Sequence, residues 1–287
     1  MGMFKYSITL VSFRKVEPLE DTLARLSDQG YSAVEMYGEP EEVDIKKVKD
    51  ALSTNRLAVC GITGMWGQVS KHGWKRKLLS TDASLAAASE KYVRDCIRMC
   101  NQLGGSVMNI CLFSDDLQEF DRNHGTIKLE DKDRMTRKAL PLLRRLCREA
   151  TDSGVELVLE PLNRYSTPYC ATAQDSLAIA HKIDDLGILL DTFHMNIEED
   201  SFEGAILSCH NFLAHTHFAD NNRKMPGFAH IDFHSIVKSL QKIGYDGYVS
   251  FEPSLTDRNY EDYTKGGLEF LKGLEEATIC RSTAVSV

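Results

Sequence analysis

Apolar and polar positions run along this chain in two rhythms that alternate from end to end. Short, mostly apolar runs occupy Tyr6–Val11, Ala33–Tyr37, Leu57–Ile62, Ser106–Leu112, Glu156–Leu162, Gly187–Phe193, Phe212–Phe218 and Gly247–Phe251. Stretches such as Ile188-Leu189-Leu190 are continuously apolar, which suits parallel strands buried on both faces. Between them, apolar residues recur at three- and four-residue spacing, the period of a helix with one buried face. This spacing predicts helices over Pro18–Gln29, Asp44–Thr54, Leu85–Leu103, Leu129–Asp152, Ala173–Lys182, Phe202–His210, Phe233–Ile243 and Tyr263–Ala277. Gly30, Gly104, Gly154, Gly187 and Gly244 read as helix stops.

Eight strands, each followed by a helix, is the count of a closed (β/α)₈ TIM barrel. The competing architecture, an open doubly wound sheet, normally carries Gly-x-Gly-x-x-Gly after an early strand. Gly61, Gly64 and Gly67 have the wrong spacing for that turn. The 287 residues suit one barrel, and no linker or repeat divides them, so a single domain over 1–287 is expected, with Ser282–Val287 as a frayed tail.

Charge and cysteine usage narrow the class. A formal net charge of −8 argues against a protein that tracks a phosphate backbone. The eight cysteines form no Cys-x-x-Cys pair, and Cys96 and Cys100, four apart on a helix, read as packing residues in a reducing compartment. There is no signal-like opening and no run near the ~18 apolar residues of a membrane span, so a cytoplasmic location away from membranes is expected.

In a barrel, chemistry sits at the C-terminal ends of strands. Strand five ends with Glu160, strand six with Asp191, strand seven with His217 and strand eight with Glu252. A single acidic residue in such a place often only caps the next helix. Four on successive strands form a ligand set for one divalent ion, with Mn²⁺ expected and Co²⁺, Mg²⁺ or Zn²⁺ as alternatives. His215 and His217 lie two apart and share a face. His217 is nearer the mouth and is taken as the ligand, and His215 as a core histidine one layer below.

The segments Leu159-Glu160-Pro161-Leu162-Asn163-Arg164-Tyr165, Leu190-Asp191-Thr192-Phe193-His194-Met195-Asn196, Asp220-Asn221-Asn222-Arg223 and Phe251-Glu252-Pro253 resemble the sugar isomerase/epimerase family of TIM barrels. That family includes ketose 3-epimerases of the tagatose and psicose type. The resemblance implies that Glu160, Asp191, His217 and Glu252 hold the metal. It further implies that Glu160 and Glu252 exchange protons with substrate, that His194 and Arg223 contact substrate oxygens, and that the protein is a homodimer or homotetramer. The implied function is a metal-dependent epimerase or isomerase of a ketose or related sugar. A metal chelated by a carbonyl and the neighbouring hydroxyl stabilises the enediolate formed on proton removal.

The chain departs from the free-ketohexose pattern at Ser166 and Ala171, where a Glu and an Asn are expected, so hydroxyl recognition should differ. The loop from Trp66 to Lys77 is expected at the rim. There Trp66 is placed to stack on a sugar, and the basic residues either meet an anionic substituent or stay solvated. Arg144, Arg145 and Arg148 read as a solvated helix face. A lyase or dehydratase on an oxidised sugar or cyclitol is the alternative function. A DNA-repair endonuclease would need further histidines where Gly64, Asn109 and Cys111 stand, and a sugar-binding protein would not need two facing carboxylates.

Overall fold

The computed structural model describes residues 4–14, 16–115, 127, 129–255 and 260–284. Its strands are β1 Lys5–Ile8, β2 Ala33–Tyr37, β3 Ala58–Thr63, β4 Val107–Ile110, β5 Glu156–Leu159, β6 Leu186–Asp191, β7 Leu213–Phe218 and β8 Tyr248–Phe251. All ladders are parallel, in the order β1-β8-β7-β6-β5-β4-β3-β2. A parallel bridge between Thr9 and Glu35 closes the ring between β1 and β2. The helices are α1 Leu19–Asp28, α2 Ile45–Thr54, α3 Ala83–Leu103, α4 Leu129–Asp152, α5 Ala173–Ala180, α6 Thr192–Glu198, α7 Phe202–Ser208, α8 Phe233–Lys242 and α9 Tyr260–Ala284. This is the (β/α)₈ barrel that the alternating rhythm predicts.

The outer core lies between strands and helices. On α3, Val93, Cys96, Ile97 and Cys100 are buried at the expected spacing and meet the sheet. Each large apolar side chain taken from water contributes roughly 1.5–3 kcal/mol. Seven of the cysteines, from Cys60 to Cys209, are buried and none of them forms a disulfide. Among the described residues no helix is long and apolar enough to cross a membrane.

A second, small apolar cluster consists of Val107, Val158 and Leu189. Each lies two residues before Asn109, Glu160 or Asp191, so it shares their face of the sheet. The cluster therefore fills the barrel beneath those residues. Two register shifts set the level of the layer above. In β3 the pairing with β2 steps from Val34↔Val59 to Glu35↔Gly61, and in β7 the pairing with β6 steps from Ile188↔Leu213 to Leu189↔His215. The second shift brings Asp191 level with His217.

Three local expectations need correction. Strand six does not run to Phe193: Asp191 ends it, and its Oδ1 accepts from the Phe193 N–H at 2.8 Å, which starts α6 at once. Gly187 is not a helix stop; it lies inside β6, where a Cβ would come 2.5 Å from Glu156 Oε1 and 2.8 Å from Ala214 Cβ. Helix α9 starts before Tyr263 and continues to Ala284, while residues 285–287 of the expected tail lie outside the described residues. Gly30, Gly104, Gly154 and Gly244 do adopt the left-handed backbone expected of helix stops.

Interior crowding can be tested on two glycines. A Cβ at Gly61 would sit 2.6 Å from the Val107 carbonyl oxygen, whereas one at Gly273, in α9, meets nothing within 4 Å. Gly61→Ala should destabilise by about 1–3 kcal/mol, and Gly273→Ala should stabilise by about 0.5–1 kcal/mol. Urea denaturation midpoints check both, and equal midpoints would contradict the packing described.

Candidate metal centre and active site

Glu160 follows β5 directly, Asp191 ends β6, His217 lies in β7 and Glu252 follows β8. One ligand atom from each of these four lies within 4.8 Å of all the others. Asp191 and His217 are fully buried side chains, Glu160 nearly so, and Glu252 is 20% exposed. The strand ends thus bring together the donor set expected from the sequence. Asp191 also meets the plainer expectation for such a residue, since one oxygen caps α6 while Oδ2 faces the cluster.

Behind His217 stands Glu35, a fully buried carboxylate on β2. The His217 Nε2–H lies 3.1 and 3.0 Å from the Glu35 oxygens, and His215 Nε2 lies 3.0 Å from Oε2. His215 is thereby the satisfied core histidine expected one layer down. Fixing the proton on Nε2 leaves the His217 Nδ1 lone pair aimed at the carboxylates. Nδ1 lies 3.9 Å from Glu160 Oε1 and 3.5 Å from Glu252 Oε2, yet it makes no hydrogen bond. A buried nitrogen without a partner, ringed by carboxylate oxygens, fits a divalent cation, and the histidine backed by a carboxylate is the usual support for such a ligand.

The charges tell the same story. Burial pushes Glu160 up, and the facing Glu252 and Asp191 add to that against the pull of His217 and Arg223. Burial also raises Glu252, but His217 and Arg223 outweigh it and hold this carboxylate below its ordinary range. Burial lowers His217, but Glu35 and Glu252 prevail and hold it well above the ordinary imidazole range, a demand for positive charge at this point. Arg223 Nη1 donates to Asp191 Oδ2 at 2.6 Å and to Glu252 Oε2 at 2.9 Å, with its guanidinium 4.2 Å from the Phe193 ring centre.

Residues that the sequence reading passed over hold this arrangement. Asn109 Nδ2 donates to Glu160 Oε2, and the Gly64 N–H donates to Asn109 Oδ1. The Cys111 thiol lies 3.6 Å from the same Glu160 oxygen. Glu160 Oε1 is left to face His217 and His194. Asp220, fully buried, accepts from the backbone N–H groups of Asn221, Gly227, Ala229 and Ile231 and so shapes the loop carrying Arg223. Arg223 itself has φ 58°, a left-handed backbone that costs energy in a non-glycine residue. Arg164 forms a paired contact with Glu198 and ties the β5 loop to α6.

Hydrogen bonding also sets the tautomer of His194. Asn163 Oδ1 accepts from the Tyr165 N–H at 3.0 Å, so its Nδ2 is the atom that meets His194 Nδ1 at 2.7 Å. Nδ1 must accept, and the ring proton resides on Nε2. Burial lowers the His194 pKa to about 3, which keeps the ring neutral. Arg223 Nη2, which can only donate, lies 3.0 Å from the same Nε2, so in this tautomer an acceptor oxygen beside both would relieve the contact between two donors.

A cavity of about 320 Å³ opens over the cluster and is lined by Glu160, His194, Arg223 and Glu252 together with aromatic residues. That is the small end of the ~300–1,000 Å³ typical of small-molecule sites. Trp66 lines it, but its ring is buried edge-on against Tyr92, and its indole N–H has no partner. The more exposed Trp74 and Tyr165 also line it. Ser166 lines the cavity and Ala171 does not. The basic residues of the 66–77 loop face elsewhere: Arg76 pairs with Glu39 and stacks on Tyr92, Lys77 pairs with Asp115, and Lys71 and Lys75 are exposed. None lines the cavity, so the anionic-substituent expectation is not met. Arg144, Arg145 and Arg148 are exposed on α4 as expected.

The family model for xylose isomerase-like TIM barrels matches residues 23–274. The D-psicose 3-epimerase of Ruminiclostridium cellulolyticum is 28% identical over 239 residues, 80% of this chain and 76% of that protein. The 3-dehydro-D-guloside 4-epimerase of Escherichia coli is 38% identical over 112 residues, 38% of this chain and 43% of that protein. The structure of D-psicose 3-epimerase with D-tagatose from Clostridium cellulolyticum H10 superposes with a TM-score of 0.78, at 22% identity, over 95% of this chain and 99% of that one.

The tautomer is directly measurable. Two-bond ¹H–¹⁵N spectra should show His194 as the Nε2–H form, and Asn163→Asp, which replaces a donor by an acceptor, should move the proton to Nδ1. An Nδ1–H pattern in the unaltered protein would contradict the assignment.

Proposed function

This chain belongs to the xylose isomerase-like TIM-barrel family, and from that premise we propose that it is a metal-dependent epimerase of a ketose or related sugar. The supporting observation is that Glu160 and Glu252 approach one point from strands five and eight, within 4.8 Å of each other and of His217. That its relatives include sugar epimerases favours this over a lyase.

Glu160, Asp191, His217 and Glu252 would hold the ion; Mn²⁺ is the proposed occupant, with Co²⁺, Mg²⁺ or Zn²⁺ as alternatives. When bound, the ion polarises the substrate carbonyl and the oxygen beside it. One of the two glutamates removes the proton on carbon next to the carbonyl, leaving an enediolate. The other delivers a proton to the opposite face of that carbon. His194 and Arg223, side by side at the cluster, supply hydrogen bonds to the oxygen that gains charge, and Trp66 bounds the sugar. We place the protein in the cytoplasm as a homodimer or homotetramer, by analogy with its family.

A second reading, epimerisation at C4 of a 3-oxo-glycoside, is favoured by Ser166. It lines the cavity where a ketohexose enzyme is expected to offer a carboxylate, and the segment matching the E. coli 4-epimerase is among the more similar ones. Loss of one hydrogen bond to a substrate hydroxyl costs roughly 1–3 kcal/mol. Free psicose, fructose and tagatose should accordingly be poor substrates; conversion of any of them as efficient as that of a 3-oxo-glycoside would exclude this reading.

Asp191→Asn should lower the metal-to-protein ratio in elemental analysis without unfolding the barrel, and an unchanged ratio would remove Asp191 from the ligand set. Glu160→Gln and Glu252→Gln should each reduce epimerisation by about 10²–10⁴-fold or more. Each variant should still exchange the carbon-bound proton of one epimer for deuterium in D₂O, because one base remains. Near-normal epimerisation by either would leave these residues as ligands only.

A further inference from the structure

The cavity over the metal cluster adjoins a second one. A second cavity of about 370 Å³ shares Val69, Arg223 and Glu252 with the first and extends to Val11, Ser12, Arg14, Val16, Pro253 and Leu255. Two of the three shared residues are the ones that face the reacting atoms. A sugar placed between Glu160 and Glu252 therefore lies at the junction, and a group attached to it on the Glu252 side enters the second lobe. We propose that the substrate is a neutral glycoside whose aglycone occupies this second lobe. The proposal rests on the epimerase reading above.

Three observations carry it. Large exposed apolar side chains gather at this rim: among the six such side chains of the described residues, Val16, Val69, Trp74 and Tyr165 edge one lobe or the other. Scattered exposed apolar residues need no explanation, but a cluster around a cleft marks a surface that is covered in use. Next, among the described residues the second lobe offers no available positive charge. Arg14, its cation beside Arg223, is held by Glu42 at 2.6 Å and Glu39 at 3.7 Å and lies over the Tyr37 ring. Arg223 is committed to Asp191 and Glu252. A phosphate would find no free counter-charge among those residues. Last, the remaining lining is apolar apart from Ser254 and from Ser12, whose hydroxyl already donates to the Pro253 carbonyl at 2.6 Å. Such a surface suits the apolar face of a second sugar ring or an aryl group.

The test uses 3-oxo-glucose as its methyl, phenyl and glucosyl glycosides, with fructose and fructose 6-phosphate as further arms, on the metal-loaded enzyme. The expected result is a rise in kcat/KM of at least about tenfold from methyl to phenyl or glucosyl, carried mainly by KM. Val16→Trp, which fills the lobe from an exposed position, should reduce that ratio to near one; Val16→Asp serves if the larger side chain impairs folding. Equal kcat/KM across the glycosides overturns the lobe while leaving the epimerase reading intact. A preference for the phosphorylated sugar overturns the neutral substituent. If no arm is turned over, the epimerase reading has failed, and saturation-transfer NMR with the phenyl glycoside decides the lobe separately. Aryl signals that Val16→Trp abolishes support the lobe, and their absence from the unaltered protein overturns it.

Discussion

Three carboxylates and an imidazole lone pair share one buried volume at the mouth of this barrel, and most other features of the site answer to that crowding. Two like charges 4 Å apart repel by about 4 kcal/mol at an effective dielectric of 20. Carboxylates packed this closely call for positive charge among them. Arg223 supplies part of it through contacts at 2.6 and 2.9 Å. A divalent cation supplies it best, because it also uses the Nδ1 lone pair that nothing else satisfies.

Holding such a cluster open requires rigid support, and the barrel provides it at several levels. Val107, Val158 and Leu189 fill the interior below. The register shift at β7 sets His217 level with Asp191. Glu35 then fixes the imidazole from behind, while Asn109 turns one oxygen of Glu160 away from the centre. The left-handed backbone of Arg223 is a local cost, offset by the four backbone hydrogen bonds that Asp220 accepts in the same loop. Strain at a site residue that its surroundings over-determine is the usual mark of a functional loop.

The fold was legible because parallel strands and their covering helices leave different periods in the sequence, and the ligand set was legible because each member stands near the C-terminal end of an apolar run. What escaped notice did so for physical reasons. Glu35 sits inside the run Ala33–Tyr37, where one polar letter among apolar ones says nothing about two histidines brought near by closure of the ring. Asn109 and Asn163 act through contacts 51 and 31 residues away in sequence. The end of strand six is hidden in the sequence because Thr192-Phe193 continues the apolar pattern, while the Asp191 side chain turns the chain into α6. The basic loop residues after Trp66 looked available to a ligand until Arg76 and Lys77 were seen paired with Glu39 and Asp115.

The central claim is that His217, backed by Glu35, completes a site for one divalent cation. The most direct measurement is a Mn²⁺ titration followed by electron paramagnetic resonance, on the unaltered protein and on Glu35→Gln. The account predicts one site per chain, weakened by about 10–100-fold in the variant, since the carboxylate that orients a histidine ligand typically contributes that much. Absence of a stoichiometric site, or equal affinity in the two proteins, would contradict it.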